Sequence, residues 1–334
     1  MQKILPKKEL KSFIERLMKK HKVIAPVKES PTKFRELENS EDIKNLSLRE
    51  ITVLSPKQFF IPENEVLLEF KNGKVIDVRK NPEDKEKNRI IFGVRKCDIN
   101  ALLVLDKVMK DPLYISKRKK TIIIGLHCEA PDKYCFCNSM ISEEGSEKGY
   151  DLFFYLHKDN YYISIGSKKG LSLVSGLQSV KGKDEVIKKI KNFRALNDKG
   201  IERSYRNKIW ESDADKCLSC SACTVDCPTC NCFDIRDELD ANLKTGRRVR
   251  SFSSCQLRSF SRVAGGKIFR ESRLARFKHF VYHKVVYYKK HFGRYMCTGC
   301  GRCLRVCPTK IDWVNTINLL NEIKDADNKG RMKK

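Results

Sequence analysis

Cys217-Leu-Ser-Cys220-Ser-Ala-Cys223-Thr-Val-Asp-Cys227-Pro228 and Cys297-Thr-Gly-Cys300-Gly-Arg-Cys303-Leu-Arg-Val-Cys307-Pro308 repeat one pattern near the end of a 334-residue chain. Each reads C-x2-C-x2-C-x3-C-P. In such a run three thiolates wrap one face of a [4Fe–4S] cubane, and the fourth reaches the other cluster when two runs are present. The spacing therefore assigns Cys217, Cys220, Cys223 and Cys307 to one cluster, and Cys297, Cys300, Cys303 and Cys227 to the other. The proline after each fourth cysteine turns the chain away from the cubane. The chemistry implied is one-electron transfer.

Seven of the 15 cysteines lie outside these runs. Cys97 follows the apolar run Arg89–Val94, Cys128 follows Thr121–Leu126, and Cys135-Phe-Cys137 lies just beyond. Ile99 to Met109, between the two runs, has helical period, so strand, helix and strand predict a parallel βαβ unit. Both strand ends then share the edge where ligand sites form. Cys97, Cys128, Cys135 and Cys137 are expected to hold a third [4Fe–4S] cluster there, against the alternative of inert buried thiols. Cys230 and Cys232 face one side of an extended segment, and with Cys255 they make three thiols. They either ligate a metal or tune the environment of the clusters.

Composition narrows the class. A hydrophobic fraction of 40% allows a real core, and no apolar run approaches the length of a membrane span. The N-terminus lacks the apolar stretch of a secretory signal, so cytoplasmic residence is expected and clustered thiols read as ligands rather than disulfides. Lys and Arg total 69 against 42 Asp and Glu. The excess runs from Lys3 to Lys334 without compact Arg-rich blocks, which reads as a solvated surface that can steer an acidic protein partner. Arg302 and Arg305 are expected to favour the reduced, more negative clusters. A zinc-stabilised nucleic-acid-binding protein is the alternative of another class. No glycine-rich phosphate fingerprint is present, so no flavin or nicotinamide site is expected in this chain. His279 and His283, four residues apart on one helix, lack an apparent third ligand.

The expected fold is α+β. An N-terminal mixed α/β domain, residues 1–205, carries the βαβ unit, an amphipathic helix over 10–18 and hairpins at 65–78 and 151–165. A basic helix is expected over 185–196. A mainly helical dicluster domain of bacterial-ferredoxin type covers 206–325 and ends in a helix over 312–323, before a charged tail at 326–334. Residues 28–50 give weak signals.

Together the motifs resemble a known family. It comprises the β subunit of archaeal sulfhydrogenase, a cytoplasmic [NiFe]-hydrogenase complex, and the iron–sulfur subunit of anaerobic sulfite reductase. The resemblance runs through Val23-Ile-Ala-Pro26-Val27, Ser55-Pro56-Lys57, Phe60-Ile-Pro-Glu63-Asn-Glu65, Phe92-Gly-Val-Arg-Lys-Cys97-Asp98, Cys135-Phe-Cys137 and Cys227-Pro-Thr-Cys230-Asn-Cys232-Phe-Asp234, besides the final cysteine run. It departs at Lys96 and Ser253, and neither change removes a thiol. The resemblance implies an electron relay between a flavin subunit that exchanges with NAD(P)H and a terminal site on hydrogenase small and large subunits, or on a sirohaem sulfite reductase subunit.

An anaerobic preparation is expected to contain iron and acid-labile sulfide. Stoichiometric zinc together with salt-sensitive DNA binding would decide for the nucleic-acid reading instead.

Overall fold

The structure, a computed structural model, describes residues 2–79, 88–141, 149–180 and 190–331, with side chains to residue 322. Its strands are β1 (Gln2–Pro6), β2 (Lys22–Val27), β3 (Lys33–Glu36), β4 (Asn64–Lys71), β5 (Lys74–Asp77) and β6 (Arg89–Val94). They continue with β7 (Thr121–Leu126), β8 (Leu152–His157), β9 (Asn160–Ile165), β10 (Ser179–Val180), β11 (Phe233–Leu239) and β12 (Thr245–Phe252).

Every residue of β6 and β7 is buried, the reason both read as unbroken apolar runs. They pair in parallel, joined by the helices Lys96–Val108 and Pro112–Lys120. This is the expected βαβ unit. The sheet grows from it in the order β10-β1-β9-β8-β7-β6-β2-β3. It is parallel among β2, β6, β7 and β8 and antiparallel at both flanks. One face packs Phe13, Ile14 and Leu17 of the helix Leu10–Met18 on Ile90, Phe92 and Ile124. The other packs Ile99, Leu102 and Leu105 on Ile91 and Ile123. Alternate residues of each strand thus feed opposite cores.

Both expected hairpins form, β4–β5 and β8–β9. Asn72 and Gly73 turn the first with φ of 49° and 75°. The weak stretch from residue 28 holds β3 and a short helix, Ser40–Lys44. Its start is a capping box in which Asn39 accepts from Asp42 N–H while the Asp42 carboxylate accepts from Asn39 N–H, an arrangement worth about 1 kcal/mol. Pro26 sits inside β2, where the parallel ladder to β6 has already ended at Ile24, so its missing N–H breaks no bond there.

Three expectations change. The helix over 185–196 falls partly outside the described residues, and 190–196 is irregular. There Asn192 accepts from Asn138 N–H at 2.8 Å, and Arg194 pairs with Asp312, so the segment is a strap held by side chains. The C-terminal helix, Trp313–Arg331, continues through residues read as tail. The second half is also less purely helical, because β11 and β12 form a hairpin. Its cross-strand partners are Arg248 with Asp237 and Arg247 with Glu238, charged pairs that hide the apolar alternation.

That hairpin joins β4 and β5 in a second sheet, β11-β12-β4-β5, so the chain crosses back over the boundary expected near residue 205. A second core gathers Trp210, Phe277, Phe280 and Trp313 with Phe136 from the first half. Arg302, in the second cysteine run, is 1% exposed and binds Asp98, the neighbour of Cys97, at 2.5 and 3.0 Å. Its remaining donors meet the Thr52 carbonyl and hydroxyl at 2.9 and 3.2 Å.

Removing one partner of this buried pair strands the other charge. Asp98→Ala or Arg302→Ala is expected to cost about 3–5 kcal/mol in anaerobic guanidinium unfolding. The double change Asp98→Leu with Arg302→Met is expected to cost less than either. Additive losses would refute the pairing.

Candidate metal centres

The two cysteine runs fold as structural repeats. Ser219 and Ser221 in the first, and Gly299 and Gly301 in the second, all have positive φ, between 53° and 74°. A short helix follows each loop, Ala222–Val225 and Arg302–Val306. This curl aims backbone donors at sulfur: Ser219 N–H lies 3.4 Å from Cys217 Sγ, and Gly299 N–H lies 3.3 Å from Cys297 Sγ. Ile311 N–H donates to Cys307 Sγ at 3.4 Å, and Trp313 Nε1–H to Cys303 Sγ at 3.5 Å. Donors converging on sulfur stabilise thiolate and suit metal-bound sulfur.

One cavity is lined by Cys217, Cys220, Cys223 and Cys307, with Phe277, Phe280 and Trp313 as apolar walls. Residues 217–223 and 307 therefore meet across the intervening chain, as the spacing requires. Cys303 also borders this cavity. A second cavity, at the common edge of β6 and β7, is lined by Cys97, Cys128, Cys135 and Cys137. Cys300 borders that one. The set Cys297, Cys300, Cys303 and Cys227 thus stands between the two cavities, with one member at each. Ionised Cys300 and Cys227 both act on Cys303, a sign of how closely this middle set is drawn together.

Two glycines fix how the middle set meets the strand-edge set. A Cβ on Gly299 would come within 2.6 Å of Cys137 backbone atoms, and one on Gly301 within 2.6 Å of Tyr134 backbone atoms. The Gly299 carbonyl accepts from Phe136 N–H at 2.8 Å. The loop carrying Cys135 and Cys137 therefore lies directly on the second cysteine run.

With no iron bound, burial pushes the thiols up. Cys97, Cys223 and Cys297 rise well above their ordinary value, and Cys135 and Cys303 are pushed up to about 12, burial being the largest cause in each. A site that resists ionisation when empty needs a strongly charged group to draw its protons off, and iron supplies that charge. Among the described residues no group of three or more His, Cys, Asp and Glu could hold a single metal ion, so a zinc site has no geometry here. His279 and His283 stack at 5.5 Å on their helix. Burial lowers both to about 4, leaving a neutral packed pair.

The two arginines differ from expectation. Arg302 is neutralised by Asp98 and Arg305 pairs with Asp132 at 3.0 Å, so neither presents a free charge. The cations that face sulfur are two lysines the sequence reading passed over. Lys284 Nζ donates to Cys227 Sγ at 3.2 Å and Cys230 Sγ at 3.1 Å. Lys57 Nζ donates to the carbonyls of Val225, Cys227 and Cys230 at 2.9–3.2 Å. The signal for Lys284 is its place in the strongly apolar Phe280–Val285 segment; Lys57, in a loop, gives none.

A family model described as a 4Fe-4S dicluster domain matches residues 216–311. Sulfhydrogenase 2 subunit beta of Pyrococcus furiosus is 33% identical over 329 residues, 93% of this chain and 95% of that protein. No solved structure matches the chain. The chain belongs to the sulfhydrogenase β-subunit family, and it is an iron–sulfur electron-transfer protein.

Gly301→Ala forces a side chain onto Tyr134 and a left-handed backbone, at a cost of about 1–3 kcal/mol from the backbone alone. Ser221→Ala, at the equivalent position, removes a hydroxyl that has no partner and is expected to be close to neutral. Iron per chain and the unfolding midpoint should fall for the first and hold for the second. Equal behaviour would show that the loop contact does not matter.

Proposed function

We propose that this member of the sulfhydrogenase β-subunit family relays electrons, through three [4Fe–4S] clusters, between a flavin subunit that exchanges with NAD(P)H and the [NiFe] module of a cytoplasmic hydrogenase complex. One observation carries the reading: three four-thiol sets adjoin in series, with Cys303 at the edge of one neighbour and Cys300 at the edge of the other. Cys217, Cys220, Cys223 and Cys307 would hold the outer cluster, and Cys297, Cys300, Cys303 and Cys227 the middle one. Cys97, Cys128, Cys135 and Cys137 would hold the cluster at the sheet edge. The clusters supply reversible one-electron chemistry when bound.

The chain's own residues do the rest. Apolar walls at Phe277, Phe280 and Trp313 keep water from the outer set, and N–H donors from Ser219, Gly299, Ile311 and Trp313 fix the sulfurs. Burial and such hydrogen bonds are the protein's means of setting cluster potentials. Among the described residues no helix is long and apolar enough to cross a membrane, in keeping with a relay inside a complex. The lysine-rich surface suits an acidic protein partner.

Anaerobic co-purification from the native host, with metal and cofactor analysis, tests the reading. Nickel, flavin and iron in one complex are expected. Sirohaem in place of nickel would assign the chain to sulfite reduction, and purification without partners would make it a free carrier.

A further inference from the structure

Cys230, Cys232 and Cys255 have no place in the three sets, yet the fold draws them together. Cys230 and Cys255 are 7% and 4% exposed. Cys232 and Cys255 are hydrogen-bonded through sulfur, and so are Cys230 and Cys227. Cys255 lies close enough to act on the charge of Cys230. Ser253 N–H donates to the Cys232 carbonyl at 3.0 Å, extending the β11–β12 ladder so that both segments are fixed.

The surroundings of these thiols are cationic. Lys284 and Lys57 are 1% and 5% exposed. Lys284 donates to Cys230 and Cys227 sulfurs and, at 3.4 Å, to the Thr229 hydroxyl. Lys57 donates only to backbone carbonyls, with the Asp226 carboxylate acting on it from further off. Two ammonium groups in a protein interior are costly unless an anion neutralises them, and neutral thiols are weak acceptors. A cluster bound through Cys227 would answer part of that charge. It would leave Cys230 an uncharged thiol facing an ammonium, with two more buried thiols behind it.

We propose that Cys230, Cys232 and Cys255 hold a further iron–sulfur cluster through three thiolates, its negative charge balanced by Lys284 and Lys57. Three thiolates suit a cluster of three irons, or a cubane whose fourth iron takes a ligand other than cysteine. A single ion does not suit the described residues. Gln256, 2% exposed, joins this centre to the relay. Its Nε2 lies 3.7 Å from Cys255 Sγ, and its Oε1 lies 3.9 Å from Cys217 Sγ of the outer set. Through Cys227 the same centre touches the middle set. It is therefore a branch beside the series and not a link within it.

The inference rests on the iron–sulfur reading above, and one measurement separates the two. The full chain is reconstituted anaerobically with iron and sulfide, and iron and acid-labile sulfide per chain are counted beside the EPR signals of the reduced protein. Three cubanes account for about twelve irons; the wild type is expected to exceed that. Cys230→Ala and Cys255→Ala are each expected to lose about three to four irons and one EPR component, with the remaining signals intact. A fully loaded wild type holding about twelve irons would overturn the proposal, whatever the variants do. So would variants that keep the wild-type iron and sulfide. A wild type with only about eight irons would remove the sheet-edge cluster of the relay, and the Cys255→Ala comparison would still decide this centre.

Discussion

The buried pair between Arg302 and Asp98 is the contact on which the arrangement of the centres depends. Asp98 opens the helix that follows β6, next to Cys97, and Arg302 opens the helix that follows the second cysteine loop. Both side chains are 1% exposed. Neither charge could stay there alone, since burial has taken each from water. The pair therefore forces the sheet edge and the second cysteine run together. It also consumes a charge that would otherwise act on the clusters, which leaves the lysines as the cations that face sulfur.

The glycines complete that constraint from the other side. The two cysteine loops share a backbone curl, but Gly299 and Gly301 stand where Ser219 and Ser221 stand in the first loop. Serine tolerates the curl where its side chain has room. Where the Tyr134–Cys137 loop crosses, a Cβ does not fit. The repeat has diverged at the positions where one copy acquired a neighbour, and the neighbour brings Cys135 and Cys137 with it.

Much of this was legible beforehand. β6 and β7 match the apolar runs residue for residue because both faces of each are buried. The hairpin at Asn72-Gly73 was marked by a turn that needs positive φ. The β11–β12 hairpin escaped because its cross-strand partners are charged, and β3 because a short strand between polar segments has no period to read. The irregular strap at 190–196 shows the reverse error: its composition suits a helix, but Asn192 and Arg194 bind partners across the fold and tertiary hydrogen bonds override propensity.

The sequence by itself determined the chemistry of the chain, because metal-binding thiols must recur at spacings set by the loop that carries them, and such spacings are written in the order of residues. It also determined the strand-edge position of Cys97 and Cys128, since periodicity locates strand ends. Only the tertiary structure decided that Cys300 and Cys303 face opposite neighbours, that Arg302 is spent on Asp98, and that Lys57 and Lys284 surround the thiols at Cys227 and Cys230. Those facts join residues up to 250 positions apart. Burial makes them obligatory, because a charge removed from water must find its partner wherever the fold supplies one, and no local pattern records where that is.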